Sequence, residues 1–394
     1  MKKTLVMAAL AASYACHAQA QNSVTLYGVI DAGLSYNSNQ KGSSAWQAGS
    51  GNVTGSHWGL LAREDLGGGT KAIFTLESGL NSTTGAQQYT NAMFGRQSWV
   101  GFTNPAYGSL TFGRQYASYY QLLSPYSPTN WLTGFFGAHP GDIDGLDTIY
   151  RANNTIEYTS PKLYGFTFSG SYSLGGVSGS LNSGSTWAGA IQYANGPIGL
   201  AVGFSRINNS TTGGGAFGAD STTSNNGAQA GVSALTNGYQ TAQAQQRFAV
   251  GGSYTFNSAW DVSATYSNVQ YIPGIGSKFT DTAIFNTGGI VLHWKPAVTW
   301  DFGAGYSFTR ATKANGITSA AQYQQFNLSQ YYALSKRTGF YALEAYQHAN
   351  GKTLGTAGAG QIIDATATLG DGFNSTPSST RNQFAAGVGI VHRF

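Results

Sequence analysis

Acidic side chains are concentrated in residues 117–149, a long stretch without a strand pattern. Asp142, Asp144 and Asp147 lie close together there. Carboxylates of this kind bind Ca²⁺, and they can equally supply fixed negative charge opposite basic side chains. The stretch lacks the later bidentate glutamate of a hand-type calcium loop. We therefore favour fixed charge and predict no metal site, with calcium binding as the alternative.

The motifs of the chain do not indicate catalysis. Neither Gly-x-Ser-x-Gly nor His-Glu-x-x-His occurs, and the six histidines are scattered. Residues 213–218 match a dinucleotide-binding fingerprint formally. They lie in a low-complexity stretch with no strand before them and no helix after them, so the match is read as chance. The sequence predicts no catalytic residue and no cofactor.

The composition is that of alternating strands. Charged residues make up only 9% of the chain, yet the mean hydropathy is −0.18. Glycine (55 residues) and tyrosine (24 residues) are abundant. Strands with one apolar and one polar face produce this balance, with glycines at turns and at points of close packing.

Residues 1–20 are predicted to be a secretory signal peptide, which leaves residues 21–394 as the mature chain. Lys2 and Lys3 precede a short apolar run, and residues 18–20 (Ala-Gln-Ala) form a small-x-small cleavage site. The only cysteine, Cys16, lies inside this signal, so no disulfide is expected after cleavage. The remaining eighteen basic and fifteen acidic residues give a net charge of +3. This weak, scattered charge does not indicate a nucleic acid partner.

Period-two alternation dominates the rest of the chain. In the last segment, Phe384, Val388 and Phe394 share one face, while Gln383 and Ala385 share the other. One face of such a strand must meet an apolar medium and the other a polar one. A second sheet would supply the apolar medium in a sandwich, and lipid would supply it in an outer-membrane barrel.

The connections between alternating segments distinguish these two folds, because short turns and long loops alternate. Short turns at one end and long loops at the other are typical of an up-and-down outer-membrane barrel, and an even strand count suits closure. We predict an all-β fold, a 16-stranded antiparallel transmembrane β-barrel. The predicted strands are residues 24–36, 55–64, 70–80, 92–102, 108–116, 150–159, 165–175, 185–194, 198–206, 245–256, 260–271, 281–294, 300–311, 321–334, 339–349 and 378–394.

An ordered set of motifs follows the whole predicted mature chain. It comprises Val24-Thr-Leu-Tyr-Gly-Val-Ile-Asp-Ala-Gly33, His57-Trp-Gly59, Glu64-Asp-Leu-Gly-Gly-Gly-Thr-Lys-Ala-Ile-Phe-Thr-Leu-Glu77, Phe94-Gly-Arg-Gln97, Phe112-Gly-Arg-Gln-Tyr116, Ala152-Asn-Asn-Thr-Ile-Glu-Tyr-Thr-Ser-Pro161 and His392-Arg-Phe394. This set resembles the general diffusion porins of betaproteobacteria. The resemblance implies a homotrimer, passive diffusion of small hydrophilic solutes and ions across the outer membrane, and a third loop folded into the lumen.

The resemblance also implies partners. These are outer-membrane lipid, lipopolysaccharide and the barrel assembly machinery, which would read the terminal Phe394. A substrate-specific porin for a sugar, an anion or an organic acid is the alternative. In a substrate-specific porin, aromatic residues would line a path for the solute. In a general porin, the same residues would hold the third loop to the barrel wall. They are Tyr116, Tyr119, Tyr120, Tyr126, Trp131, Phe135 and Phe136.

A pore constriction is implied between the acids of the third loop and bases on the barrel wall. Arg96 and Arg151 correspond to the wall arginines of the family, and Arg114 either joins them or binds the loop of a neighbouring subunit. Arg96 shares a strand face with Ser98 and Val100. Because a lone arginine should not face lipid, we expect that face to point inward.

His57 stands where such porins often carry arginine. The charge of a histidine changes near neutral pH, so we hypothesise that conductance or ion preference changes between pH 5 and 8. The alternative is that His57 is a neutral polar side chain that only fills space. Asp31, Glu77 and Glu157 fall on predicted inward faces and are expected to pair with the arginines. This mixture of charges leaves the ion selectivity open.

Tryptophans near predicted strand ends are expected to form interfacial girdles, where amphipathic rings are favoured. Ordinary core positions are the alternative. These tryptophans are Trp58, Trp99, Trp260, Trp294 and Trp300.

Overall fold

The computed structural model describes residues 23–89, 91–131, 133–146, 151–215, 217, 235–371 and 376–394. The predicted signal peptide and Asp147 lie outside these residues. The strands are Ser23–Gln40 (β1), Ser43–Ser50 (β2), His57–Gly67 (β3), Thr70–Gly79 (β4), Gln97–Asn104 (β5), Gly108–Tyr116 (β6), Arg151–Thr159 (β7), Phe166–Ser173 (β8), Thr186–Asn195 (β9), Ile198–Asn208 (β10), Ala244–Thr255 (β11), Trp260–Ile272 (β12), Ala283–Ala297 (β13), Trp300–Ala311 (β14), Gln322–Ala333 (β15), Thr338–Asn350 (β16), Lys352–Gly355 (β17), Gly358–Asp364 (β18), Thr368–Leu369 (β19), Thr376–Pro377 (β20) and Asn382–Arg393 (β21).

Sixteen of these strands close into one antiparallel barrel, which confirms the predicted fold. Strands β3 to β16 pair in sequence order, β16 pairs with β21, and β1 pairs with both β21 and β3. Gly28 and Phe394 exchange backbone hydrogen bonds of 3.2 and 3.1 Å at the seam. A Cβ at Gly28 would clash with the Phe394 ring, so the closing aromatic lies against this strand only because residue 28 is glycine.

Strand β2 was predicted as part of a long loop, and the structure corrects this. Strand β1 pairs with β3 as far as Val29 and then pairs with β2 from Ala32 onward. The 18-residue β1 thus extends beyond the part that pairs with β3. Strand β2 turns back and pairs with the edge of β1 that β3 leaves open. Strands β17 and β18 form another hairpin inside a predicted loop. Segments of small polar residues carry no periodic signal that separates such hairpins from loops.

The two faces of the barrel follow the predicted alternation. Leu26 and Leu34 of β1 are exposed on the outside, whereas Asp31 and Ser35 are buried on the inside. In β21, Val388 is 55% exposed, and Ala385 on the other face is fully buried. An apolar outer surface around a polar interior is the arrangement of a barrel that faces lipid.

Aromatic rings form a continuous outward row at the short-turn end of β12 to β15. Trp260 stacks on Trp294 with ring centroids 5.5 Å apart, and Trp294 contacts Phe302 at 5.3 Å. Trp300 stacks on the same Phe302 at 5.5 Å and contacts Tyr332 at 4.8 Å. The girdle prediction is confirmed for these three tryptophans.

Two other tryptophans differ from that row. Trp99 lies on the inner face of β5, because its neighbour Val100 is exposed on the outside, and its Nε1 donates to Gln97 Oε1 at 2.9 Å. Its assignment to a girdle is therefore wrong, since proximity to a strand end does not determine the face. Trp58 packs against Phe94 at a centroid distance of 6.2 Å near the long-loop end.

The third loop, residues 117–146 as described, begins with the helix Ser118–Leu123 (α1). Short 3-10 turns follow at Ser124–Tyr126, Pro128–Trp131, Phe135–Gly137 and Pro140–Asp142, and a further one lies at Asn237–Tyr239. Ser263 Oγ donates to the Tyr126 carbonyl at 2.6 Å, and Gln325 Nε2 donates to the Ala138 carbonyl at 2.7 Å. Because Ser263 and Gln325 belong to buried inward rows of β12 and β15, the loop lies against the inside of the wall.

Among the described residues, the helices are too short and too polar to cross a membrane.

Candidate functional site

Glu77 and Arg96 form a buried ion pair on the inner wall. Arg96 Nε lies 2.6 Å from Glu77 Oε1, and the Arg96 backbone N–H donates to the Glu77 carbonyl at 3.1 Å. Tyr27 Oη donates to the other carboxylate oxygen at 2.8 Å. Glu77 and Arg96 are 4% and 5% exposed, so each charge depends on the other for its partner. The expected pairing of Glu77 with an arginine is thus present.

The argument that placed Arg96 inside the barrel is nevertheless wrong. Val100, on the supposed inward face, is 58% exposed on the outside of β5. Arg96 precedes the first residue of that strand, so the strand alternation does not decide its direction. Its side chain is drawn inward by Glu77 instead.

Arg151 lies beside this pair and shares its aromatic surroundings. Arg151 Nη1 donates to Tyr89 Oη at 2.6 Å, and Nη2 donates to Tyr116 Oη at 3.0 Å. Its guanidinium carbon lies 4.7 Å from the Tyr116 ring centroid, a cation–π distance. Arg96 Nη2 reaches the same Tyr116 hydroxyl at 3.5 Å. We call Glu77, Arg96, Arg151, Tyr89 and Tyr116 the arginine cluster.

His57 adjoins the arginine cluster. Its Nδ1 lies 2.6 Å from the Gly55 carbonyl, so this nitrogen carries a proton, and its Nε2 lies 3.9 Å from Glu77 Oε2. The histidine thus faces the carboxylate that already binds Arg96. A second proton on His57 would add a positive charge beside the arginines, which is the geometry that the pH hypothesis requires.

Arg114 does not point into the lumen with Arg96. It shares its strand face with Phe112, which is 40% exposed on the outside. Arg114 Nε donates to the Gly95 carbonyl at 2.7 Å, and Nη1 donates to Asn153 Oδ1 at 2.6 Å. Its guanidinium carbon also lies 5.5 Å from the ring centroid of Tyr89, so Arg114 lies beside the arginine cluster, and the two roles expected for it both stay predictions.

Asp31 and Glu157 face inward as expected, but their described partners are not arginines. Asp31 Oδ2 accepts hydrogen bonds from the backbone N–H groups of Val53 and Thr54 at 2.8 and 2.9 Å. Asp31 Oδ1 accepts from Tyr341 Oη at 2.6 Å. Glu157 accepts from Ser118 Oγ, at the start of α1, at 3.2 Å. Both carboxylates therefore hold loops to the wall, and the expectation that they hold arginines upright is not met by these contacts.

The acids of the third loop divide in a similar way. Asp144 is fully buried, with Oδ2 2.8 Å from His139 Nδ1 and 2.6 Å from Ser267 Oγ of β12. Burial raises the pKa of Asp144, but His139 and the hydrogen bonds from Ser267 and Leu146 N–H outweigh it, so the pKa is lowered. Asp144 thus tethers the loop.

Asp142 is 8% exposed, and its backbone has a φ of +47°. Asp147 lies outside the described residues. Within the described part of the chain, no group of three or more histidine and acidic side chains is arranged to hold a metal ion.

A second charged cluster was not predicted from the sequence. Asp261 of β12, His293 of β13 and Asp301 of β14 meet on the inner wall at the short-turn end. His293 Nδ1 lies 2.8 Å from Asp261 Oδ1, and Nε2 contacts Asp301 Oδ1 closely. Lys295 Nζ lies 3.8 Å from Asp301 Oδ2. We call these four residues the aspartate cluster. The sequence could have predicted the contact of Asp261 with His293, because both lie beside short turns, which places them at the same end of the barrel.

Arg247 of β11 was missed as well. It is 5% exposed and faces the third loop at Gly145, where a Cβ would lie 2.5 Å from its Nη1. Gly145 has a φ of +66°, so glycine suits this position in both space and conformation.

A closed barrel with an apolar outer face and a charged, polar interior is a transmembrane barrel of the outer-membrane type. A family profile described as Gram-negative porin matches residues 5–354, and the chain belongs to this family. The protein is accordingly located in the outer membrane.

Two relatives illustrate the membership. An outer membrane porin protein of Bordetella pertussis is 34% identical over 286 residues, which cover 65% of this chain and 66% of that protein. Outer membrane porin protein 32 of Delftia acidovorans is 34% identical over 225 residues, covering 52% and 60%. The chain thus spans somewhat less than two thirds of the length of these relatives.

Solved structures share the fold. The anion-selective porin from Comamonas acidovorans matches 95% of this chain and 100% of its own, with 23% identity and a TM-score of 0.68. The trimer form of OmpT from Vibrio cholerae matches 95% and 99%, with 17% identity and a TM-score of 0.61.

Proposed function

We propose that the protein is a passive diffusion channel for small hydrophilic solutes and ions across the outer membrane, and not an enzyme. The observation that carries the proposal is a closed barrel whose inner wall bears two separate charged clusters, with a loop held inside it by side chains from the opposite wall. Such an interior sets a size limit and an electric field across the path, and neither requires a catalyst.

The alternative is a channel that prefers anions or one class of solute. The arginine cluster favours it, because two guanidiniums face a single carboxylate and leave net positive charge on one wall. The Comamonas acidovorans porin with the same fold is described as anion-selective.

The aromatic residues of the third loop favour the general channel, since Tyr119, Tyr126, Phe135 and Phe136 are all less than a tenth exposed and pack the loop against the wall.

Planar-bilayer recording with liposome swelling tests the proposal. We expect stepwise conductance, a reversal potential in a salt gradient, and swelling rates that fall with the size of unrelated sugars. Saturation by a single solute would instead support the solute-specific alternative. Absence of conductance from protein that migrates as a folded, heat-modifiable barrel would contradict both.

Assembly and export belong to the same proposal. We infer that residues 1–20 are removed, that Phe394 is read by the barrel assembly machinery, and that the mature chain forms a homotrimer among lipid and lipopolysaccharide. The seam between Gly28 and Phe394 supports a dual role for the terminal residue, because the same aromatic also closes the barrel. A heat-sensitive oligomer and three equal conductance steps are expected. A strictly monomeric band in mild detergent would contradict the trimer.

A further inference from the structure

The charges of the arginine cluster are covered by other side chains. Glu77, Arg96 and Arg151 are at most 5% exposed, so a solute in the lumen meets the groups that lie over them. The acids of the third loop are covered as well, since Asp142 and Asp144 are both buried. The side chains in front of these charges therefore decide which solutes the wall can hold.

Trp99 and Gln97 lie on the inner wall beside the arginine cluster, and both are partly exposed. The hydrogen bond from Trp99 Nε1 to Gln97 Oε1 fixes the indole, and Gln97 Nε2 donates to Glu77 Oε2 at 3.5 Å. Gly113 lies directly opposite Trp99 on β6, so no side chain stands beside the indole at that position of the neighbouring strand. Because Trp99 is on the inner face of β5, its exposed part belongs to the lumen.

Two tyrosines continue this surface onto the third loop. Tyr116 ends β6 and stacks on Tyr120 of α1, with ring centroids 5.1 Å apart and an interplanar angle of 26°. The helix α1 packs on the wall through Tyr119 and Leu123, which are fully buried, whereas Tyr120 is partly exposed on its lumen side. The name aromatic face is used below for Gln97, Trp99, Tyr116 and Tyr120.

The hydroxyl of Tyr116 has a proton to donate to a solute. Its oxygen accepts from Arg151 Nη2 at 3.0 Å and lies 3.5 Å from Arg96 Nη2. Toward the residues that the structure describes, the hydroxyl thus acts as an acceptor, and its own proton points elsewhere. Guanidiniums that donate to this oxygen also polarise the O–H group and make it a stronger donor. A neutral hydroxyl thereby carries the influence of the buried arginines to the lumen.

We propose that the aromatic face is a subsite for small aromatic carboxylates that pass through the channel. The solute ring stacks on the indole of Trp99, and Tyr120 offers a second ring. The carboxylate accepts from the Tyr116 hydroxyl and from the second N–H of the Gln97 amide. This assignment names a solute class for the anion-preferring alternative and rests on the proposed channel function.

Other solutes use only part of this surface. An aliphatic acid has a carboxylate for the Tyr116 hydroxyl but no ring to stack on Trp99. A neutral aromatic solute has the ring but accepts a weaker hydrogen bond than a carboxylate does. Only an aromatic acid uses the rings and the donors together, so its binding should exceed that of both simpler classes.

Block of the KCl current by added acids, recorded on the purified protein in planar bilayers, tests the subsite. Benzoate should block at about fivefold lower concentration than cyclohexanecarboxylate, which has the same charge and nearly the same size but no planar ring. Trp99→Leu should remove this difference. Trp187→Leu removes an indole that is 40% exposed on the outer face of β9, and this matched control should retain the difference.

The donor is tested separately by Tyr116→Phe, which keeps the ring and removes the hydroxyl. The blocking concentrations of benzoate and cyclohexanecarboxylate should both rise about tenfold, as expected for the loss of a hydrogen bond to a charged group, while the preference for benzoate remains. Each variant is used only after it shows the heat-modifiable band of a folded barrel. Tyr120→Leu, on the surface of α1, tests the ring contact if Trp99→Leu does not fold.

Equal blocking concentrations of the two acids in the wild-type protein would overturn the subsite. A benzoate preference that survives both Trp99→Leu and Tyr120→Leu would overturn it as well. Either result leaves the KCl current, and with it the proposed channel, in place. Absence of KCl current from a folded barrel would instead contradict the channel itself, so the two failures are distinguishable.

Discussion

The arginine cluster and the aspartate cluster are both charged groups on the inner wall, but they are built differently. The arginine cluster joins Glu77 and Arg96, which are 19 residues apart on either side of a long connection, to Arg151, which begins β7 after the third loop. The aspartate cluster joins Asp261, His293 and Asp301, which lie on three successive strands linked by short turns. Packing across long connections assembles the first cluster, whereas the residues of the second lie near short turns on neighbouring strands, with Asp261 directly opposite His293 and Asp301 two residues away from that register.

The clusters also differ in charge. Two guanidiniums outnumber one carboxylate in the arginine cluster. In the aspartate cluster both ring nitrogens of His293 face a carboxylate, and Lys295 lies beside Asp301. Apart from the histidine, two carboxylates there outnumber one lysine. The difference teaches that the arginine cluster leaves positive charge on the inner wall, whereas the aspartate cluster leaves negative charge.

The largest effect is expected from breaking the ion pair in the arginine cluster. Glu77→Gln leaves the Arg96 charge buried without its partner and should lower the free energy of unfolding by about 3–5 kcal/mol. Denaturant unfolding of the reconstituted barrel measures it. Glu64→Gln, at an exposed residue near a short turn, is the control and should have little effect. Equal stability of the two variants would mean that Arg96 does not depend on Glu77.

A smaller effect is expected from the tether between the third loop and β12. Asp144→Asn removes a carboxylate that binds His139 and Ser267, at a cost of about 1–3 kcal/mol to loop attachment. Since the pKa of Asp144 is lowered in the folded protein, the wild-type tether is complete above the ordinary value of 3.8 and is lost as the pH falls further, through the lowered pKa. Protease cleavage within residues 117–146 should therefore increase in acid for wild type and be already high at pH 7 in the variant. Cleavage at pH 7 that matches wild type would refute the tether.

Selectivity should change in opposite directions when each cluster loses one charge. Arg151→Gln should shift the permeability ratio toward cations, and Asp301→Asn should shift it toward anions. Each shift is expected to be about threefold, the effect of a unit charge about 7 Å from an ion in water. Reversal potentials in a KCl gradient measure both. Shifts of the same sign would show that the clusters do not act as separate charges.

The smallest effect is expected from pH. Protonation of His57 adds positive charge beside Arg96, so anion preference should rise as pH falls from 8 to 5. His57→Gln should remove this response in reversal-potential measurements. A response that survives the substitution would exclude His57 as its source.

The sequence predicted the architecture well because a barrel follows from local periodicity. Alternation in β1 and β21 set the inner and outer faces, and the spacing of short turns set the strand count. The same reasoning failed for Arg96 and Trp99. Arg96 precedes the first residue of β5, so the alternation does not fix its direction, and taking its face as the inward one put Trp99 on the outside.

What the sequence by itself determined is a closed, lipid-facing barrel with polar residues inside, since side-chain alternation and turn length are local properties. Only the tertiary structure decided which charges meet. The sequence marks Asp31, Asp144 and Glu77 alike as acids of the interior. In the structure Asp31 and Asp144 bind loop residues, whereas Glu77 binds an arginine. Partner choice depends on where distant strands and loops cross inside the barrel, and no local pattern encodes that crossing.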